Sequence, residues 1–204
     1  MTKKYLFMFF AVAISALPGC HTGMLGPDPW SAAPSLEFPV QVPSNIKSLG
    51  AFGTPNWSGT QPHNGIDLVM KPGTGQEMII APAPGTVTNI NSHSNSFSHP
   101  PGQLILTVDV MVDMDWTYSL NYEPGTNNDA LKSSQASHIL VKVGQKLRTG
   151  DHVGFLLEGE LGYMHMHFGL RHRNVDMCAY LESSAASKAI FDAIGNTSGT
   201  KACY

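Results

Sequence analysis

From about Leu49 to Arg171 the chain is a succession of short apolar or alternating runs, each broken by Gly, Pro or a polar turn. No stretch in that span keeps the 3.6-residue period of an amphipathic helix. Met78–Ala81 and Gly85–Ile90 read as strands around an Ala-Pro-Ala-Pro-Gly turn, and Leu104–Met111 and Thr117–Tyr122 as two more. Residues 138–157 carry short β runs punctuated by Gly144, Gly150 and Gly154, and Tyr163–Arg171 reads as a last strand. The polar stretch 124–137 reads as an exposed loop. Only beyond Ser183 does a helical pattern emerge, with Ala186, Ile190 and Ile194 on one face and Gly195 as its stop. The expected fold is therefore all-β with a short C-terminal helix.

Composition narrows the class. Hydrophobic residues make up 42% of the 204, enough for a core, while charged residues make up only 13% against roughly 25% in ordinary soluble domains. The formal charge of -3 and pI near 6.3 argue against nucleic acid as a partner. Nine His nearly match the 12 Lys and Arg, which directs attention to metal chemistry.

The amino terminus has the layout of an export signal: Lys3 and Lys4, then an apolar run from Leu6 to Leu17, shorter than the roughly 20 residues a spanning helix needs. The segment Leu17-Pro18-Gly19-Cys20 resembles a bacterial lipoprotein signal, with Pro18 departing from the usual small residue. The expectation is a signal peptide over 1–19, lipidation at Cys20, a Pro-rich tether over 20–45 and a location at the cell envelope, anchored to a membrane. In an exported compartment Cys178 and Cys203 are expected to pair, with a free buried thiol or a catalytic thiolate as the alternatives.

Two patterns carry chemistry. His63-Asn64-Gly65-Ile66-Asp67 is an H-x-x-x-D, and His165-Met166-His167 is an H-x-H. Either alone is cheap, and a second H-x-x-x-D exists in His172 and Asp176. That one is set aside, because His172 lies an odd number of residues from His167 and so faces the other side of one strand. The H-x-H places two imidazoles on one face. With a His and an Asp from elsewhere, they suit a zinc ion with an open fourth position, or else form a polar patch on a sheet. The zinc would leave water more acidic and a carbonyl more electrophilic.

These residues resemble the lysostaphin/LytM-type zinc metallopeptidases, which cut peptide cross-bridges in bacterial peptidoglycan. The resemblance covers Phe52 to Arg171: His63/Asp67, an Ala81-Pro82…Gly85-Thr86-Val87 turn, Val141-Lys142-Val143-Gly144-Gln145-Lys146-Leu147 with Gly150-Asp151 and Val153-Gly154, then His165-Met166-His167-Phe168. It implies a small antiparallel β-sandwich of the barrel-sandwich hybrid type over 46–177, followed by a helical extension over 178–204. It implies zinc (Zn2+) on His63, Asp67 and His167, with His165 as catalytic base and peptidoglycan peptides as substrate. One departure stands out. The family's additional His, in a Tyr-x-His-Leu segment, has no counterpart in Ser119-Leu120-Asn121-Tyr122-Glu123-Pro124. Glu123 or His138 could take its place, or the metal alone could serve. The alternative is a module that binds the wall or regulates a cell-wall amidase. A biotinyl-type carrier is excluded, because no Lys stands at the turn between the two Gly-punctuated halves. Serine hydrolase and P-loop motifs are absent from the sequence.

Overall fold

The computed structural model describes residues 32–55, 61–95 and 101–204. The expected signal peptide over 1–19 and the expected lipidation site Cys20 therefore lie outside the described residues. Among the described residues ten strands form: β1 (Ile46–Gly50), β2 (Ile66–Met70), β3 (Gln76–Ile80), β4 (Gly85–Asn95), β5 (Gln103–Met111), β6 (Trp116–Glu123), β7 (Lys146–Leu147), β8 (His152–Leu157), β9 (His165–His172) and β10 (Val175–Met177). Two helices join them, α1 (Asp129–Ser137) and α2 (Ala185–Ser198). The larger sheet runs β1-β2-β9-β6-β5-β4-β7, with β10 on the far end of β9, and every pairing is antiparallel. The smaller sheet pairs β3 with β8. The fold is all-β, of the barrel-sandwich kind the sequence implies.

Alternation along each strand sorts the side chains. On β6, Trp116, Tyr118, Leu120 and Tyr122 enter the core; on β9, Met166, Phe168 and Leu170 do; on β2, Ile66, Leu68 and Met70 do. Ile79 of β3 with Val153 and Leu156 of β8 close that core from the other side. The residues between them turn to the opposite face. Along β9 these are His165, His167, Gly169 and Arg171, and beside them stand Asn121 and Glu123 of β6 and Asp67 of β2. The core thus fixes a strip of polar side chains across the middle of the large sheet.

Four readings need correction. First, residues 36–40, expected within the tether, belong to the core: Leu36, Phe38 and Val40 are 0%, 5% and 2% exposed. They alternate at the strand period, and the backbone is paired. Leu36 N–H donates to Glu182 O (2.9 Å), Gln41 N–H to Met78 O (3.0 Å), and Pro39 O accepts from Ile80 N–H (2.9 Å). The prolines sit where no N–H is required, so their density does not prevent docking. Second, the segment expected as a helical extension over 178–204 carries α2 and also joins the core, since Cys178, Ala179, Phe191 and Ala202 share the same core cluster. Cys178 and Cys203 form a disulfide with Cα atoms 6.2 Å apart.

Third, the expected loop at 124–137 contains α1. The Asn128 side chain caps it, accepting from Ala130 N–H (2.9 Å) and Leu131 N–H (3.3 Å). Its buried Gln135 donates to Phe155 O (2.7 Å) and accepts from Leu157 N–H (2.9 Å), so the amide continues the edge of β8. Fourth, α2 does not stop at Gly195 but runs to Ser198, where Gly199 takes the left-handed conformation (φ 73°). Ser187 and Phe191 form its buried line. Among the described residues no helix is long and apolar enough to cross a membrane.

Candidate metal centre

Three side chains meet at one point. His63 lies in the turn before β2, and Asp67 is the second residue of that strand. His167 lies directly opposite Asp67 on β9. The H-x-x-x-D therefore works through a bend followed by one strand step, while the H-x-H works through strand alternation. Asp67 Oδ1 is 3.2 Å from His63 Nε2 and 2.9 Å from His167 Nδ1, and the two imidazole nitrogens are 3.1 Å apart. The edges of this triangle are close to the spacing of about 3.3 Å between neighbouring ligands on a tetrahedral zinc with bonds of about 2.0–2.1 Å. The donor set, two imidazoles and one carboxylate, also suits that ion. His63, Asp67 and His167 thus fit a zinc ion.

The surroundings hold this triangle. The His63 Nδ1–H donates to Ala51 O (2.9 Å), which leaves Nε2 with its lone pair toward the cluster. The His63 backbone is tied to the neighbouring loop, its N–H to Thr54 O (2.7 Å) and its C=O to Gly53 N–H (2.9 Å). Two glycines leave the necessary space. A Cβ on Gly65 would run into the His167 ring and come within 2.8 Å of Phe168 O. A Cβ on Gly50 would lie 2.8 Å from Asp67 Oδ2 and 2.9 Å from Asp67 Cβ. The sequence shows Gly65 as a bend-forming residue; its role in clearing room for His167 depends on β9 lying alongside, which no local pattern reveals.

His165 stands next to the triangle, two residues before His167 on the same face of β9. Its Nε2 lies 3.3 Å from Glu123 Oε2 and 4.0 Å from Asp67 Oδ1, and its Nδ1 lies 3.3 Å from Tyr163 O. Glu123 and His165 are register partners across β6 and β9, as Asn121 and His167 are. Of the two candidates for the missing His, the structure brings Glu123 to the cluster. His138 sits at the C-terminal end of α1, where its Nδ1 meets Ser134 O (2.8 Å) and its ring faces Phe155. His172, set aside on sequence grounds, stacks on Trp116 with ring centroids 4.4 Å apart.

The charges interact strongly. Burial works to raise the Asp67 pKa, but His165, His167 and His63 together hold it well below the usual carboxylate range. Burial works to lower the His165 pKa, and the Glu123 and Asp67 carboxylates outweigh it, pushing it up to about 10. For His63, burial is again opposed, by the hydrogen bond and charge of Asp67, and the net shift is upward. The side chains of His63, His165, His167, Asp67 and Glu123 keep 11–25% of their surface exposed, so the cluster is lined by protein on one side and accessible on the other.

No protein-family model matches the chain, and no curated protein matches it. Among solved structures it is similar to a zinc containing peptidase from Vibrio cholerae, at 19% identity and TM-score 0.48 over 70% of this chain. It is similar to a protein described as a peptidase M23 from Pseudomonas aeruginosa, at 22% identity and TM-score 0.46 over 74% of this chain. A third is a mutant catalytic domain of the prophage-encoded M23 protein EnpA from Enterococcus faecalis, at 22% identity and TM-score 0.43 over 71% of this chain. The chain spans 38% of the first, 51% of the second and 95% of the third. At such identities and TM-scores these likenesses carry no argument about chemistry, which rests on the side chains themselves.

Proposed function

We propose that this protein is a zinc-dependent peptidase acting on peptides of bacterial peptidoglycan. The observation that carries the reading is the convergence of His63 Nε2, Asp67 Oδ1 and His167 Nδ1 within 2.9–3.2 Å of one another on a solvent-accessible face, with the His165–Glu123 pair beside them. A zinc ion held by these three atoms supplies Lewis-acid polarisation of a carbonyl and activation of water. The chain's own contribution is to hold the ligands in register, through Ala51 O and the space left by Gly50 and Gly65. His165 and Glu123 manage protons at the reacting centre. The half-open cluster on a sheet face suits an extended peptide laid across the strands.

The peptidoglycan assignment draws on the sequence resemblance and on the export signal. We further propose that Cys20 is lipidated and holds the protein to a membrane of the cell envelope. Cys20→Ala should then move the protein from the membrane fraction to the soluble one; persistent attachment would contradict the anchor.

A second reading is favoured by one observation: the further His of the resembled enzymes has no counterpart in Ser119–Pro124, and β6 presents Asn121 and Glu123 to the cluster instead. On that reading the cluster binds metal without cleaving, and the protein binds the wall or regulates an amidase. Metal analysis combined with digestion of purified sacculi separates the two. The peptidase reading expects about one zinc per chain and release of new amines from cross-linked peptides. Zinc without amine release would support the regulator, and no zinc would overturn both.

A further inference from the structure

We propose that the sheet face holding the metal centre carries a second recognition point, a cavity at the end of β9 that takes a zwitterionic group, an ammonium and a carboxylate on one carbon, from an arm of the substrate. This deepens the peptidase reading and rests on it for the source of that arm.

The strip of β9 that presents His165 and His167 continues through Gly169 to Arg171. Arg171 lies four residues past His167, about 13 Å along a strand. There a cavity of about 260 Å³ opens, with Asp109, Asp115, Thr117, Arg171 and Arg173 in its lining. That is below the roughly 300–1,000 Å³ of pockets for drug-sized ligands, and suits a group of a few heavy atoms.

The cavity's charged lining is balanced: two guanidiniums and two carboxylates. Arg171 Nη2 donates to Ser119 Oγ (3.1 Å) and lies 3.6 Å from Asp109 Oδ1, while its Nε lies 4.0 Å from Asp176 Oδ1. Arg173 holds Asp115 through Nε (2.8 Å) and Nη2 (3.3 Å). These contacts fix both heads, yet 43% and 47% of the two arginine side chains stay exposed. A guanidinium has five N–H groups in a rigid fork, more than Ser119 and Asp109 engage on Arg171. A bare anion entering the cavity would meet Asp109 and Asp115 as well as the arginines, and a bare amine the reverse. A zwitterion is complementary to both signs.

The way from the metal centre is clear. Its floor is Gly169 beside Ser119, its register partner on β6. A Cβ on Gly169 would lie 3.6 Å from Ser119 Cβ, an ordinary contact, and its φ is not left-handed, so neither packing nor backbone requires glycine there. The β6–β9 register runs unbroken from His165 to His172. A glycine inside such a regular strand leaves room for another chain to pass close above it. A cross-linked peptide is branched. With one arm across the strands at the metal centre, an extended second arm of about four residues reaches the cavity.

The test measures binding to the zinc-loaded protein by calorimetry, with three tripeptide probes. One is alanyl-γ-glutamyl-diaminopimelate, whose last side chain ends in the zwitterion. Its lysine counterpart lacks the terminal carboxylate, and its 2-aminopimelate counterpart lacks the terminal ammonium. Wild type should bind the first at least about tenfold more tightly than either other. Arg171→Ala should keep its zinc and bring the diaminopimelate and lysine peptides within about twofold. Arg171→Lys keeps the charge but loses the fork, and should also narrow the ratio. Should Arg171→Ala fail to fold, Arg171→Lys decides alone. Equal binding of the diaminopimelate peptide and either counterpart by wild type overturns the proposal. So does a folded, zinc-loaded Arg171 variant that keeps the full preference. Cleavage is read separately: if wild type shows the preference and releases no amine from sacculi, the peptidase reading falls while the cavity's ligand stands.

Discussion

Gly65 and His167, a hundred residues apart in the chain, lie in such close contact that the place of a Cβ on the glycine is taken by the imidazole ring. The first half of the site is thus shaped around the second. The glycine gives His63 and Asp67 their bend and at the same time opens the space into which His167 turns its Nδ1 toward the cluster.

Gly65→Ala should accordingly damage the site before it damages the fold. The added methyl meets the His167 ring and the Phe168 carbonyl, an overpacking that typically costs about 1–3 kcal/mol. Zinc affinity should fall at least about tenfold while the far-ultraviolet dichroism stays that of wild type. Equal affinity, measured by competition with a chromogenic chelator, would show that His167 can shift without cost.

His63→Ala, Asp67→Ala and His167→Ala each remove one corner of the triangle. Each purified variant should hold well under one zinc per chain by elemental analysis, because two protein ligands rarely retain zinc against buffer. His138→Ala removes a ring that contacts Ser134 and Phe155 instead, and should leave zinc content unchanged.

The pKa shifts set a pH dependence for protein stripped of metal by a chelator. The folded His165 pKa lies near 10 against an ordinary 6.5, so its contribution to stability is complete below about 6.5 and is lost as pH rises toward 10. Asp67 is shifted the other way, so its contribution is present above its ordinary value of 3.8 and is lost as pH falls below that. The unfolding midpoint of stripped protein should therefore be highest between about pH 4 and 6.5 and decline above. Glu123→Gln should flatten the alkaline decline. A midpoint that rises between pH 7 and 9 would contradict this charge arrangement.

The strand pattern is legible in the sequence because it depends on local periodicity, whereas the choice of His63, Asp67 and His167 as ligands is what the family resemblance implies. Alternation around Met166, Phe168 and Leu170 puts His165 and His167 on one face whatever lies beside them. Three other features depend on distant partners. The Leu36–Val40 segment is masked by Pro34, Pro39 and Pro43, and its backbone pairing with distant residues such as Glu182, Met78 and Ile80 reveals that it has a place to dock. Helix α1 has a polar sequence and gains its hold through Gln135, whose amide bonds to β8 some 20 residues on. Glu123 and His138 could not be told apart, because the choice depends on which of them the sheet register sets opposite His165.

The Leu36–Val40 segment gives a stability prediction of its own. Phe38 is 5% exposed and meets Phe191 of α2 with ring centroids 4.8 Å apart. Phe38→Ala should cost about 3–5 kcal/mol in denaturant unfolding. A loss below about 1 kcal/mol would restore the tether reading for these residues.

The disulfide between Cys178 and Cys203 fastens the C-terminal segment, closing a span of 25 residues. Chain-entropy arguments give such a closure about 3 kcal/mol. Cys203→Ser should lower the unfolding free energy by about 2–4 kcal/mol and leave zinc content unchanged.

The docking of Leu36 also limits where an anchored molecule could work. If a lipid holds Cys20, the leash ends where the core begins, roughly 16 residues later and not 26. Fully extended, that is at most about 55 Å instead of about 90 Å. On the proposed function, the distance from the membrane within which an anchored molecule could act would be shortened by more than a third.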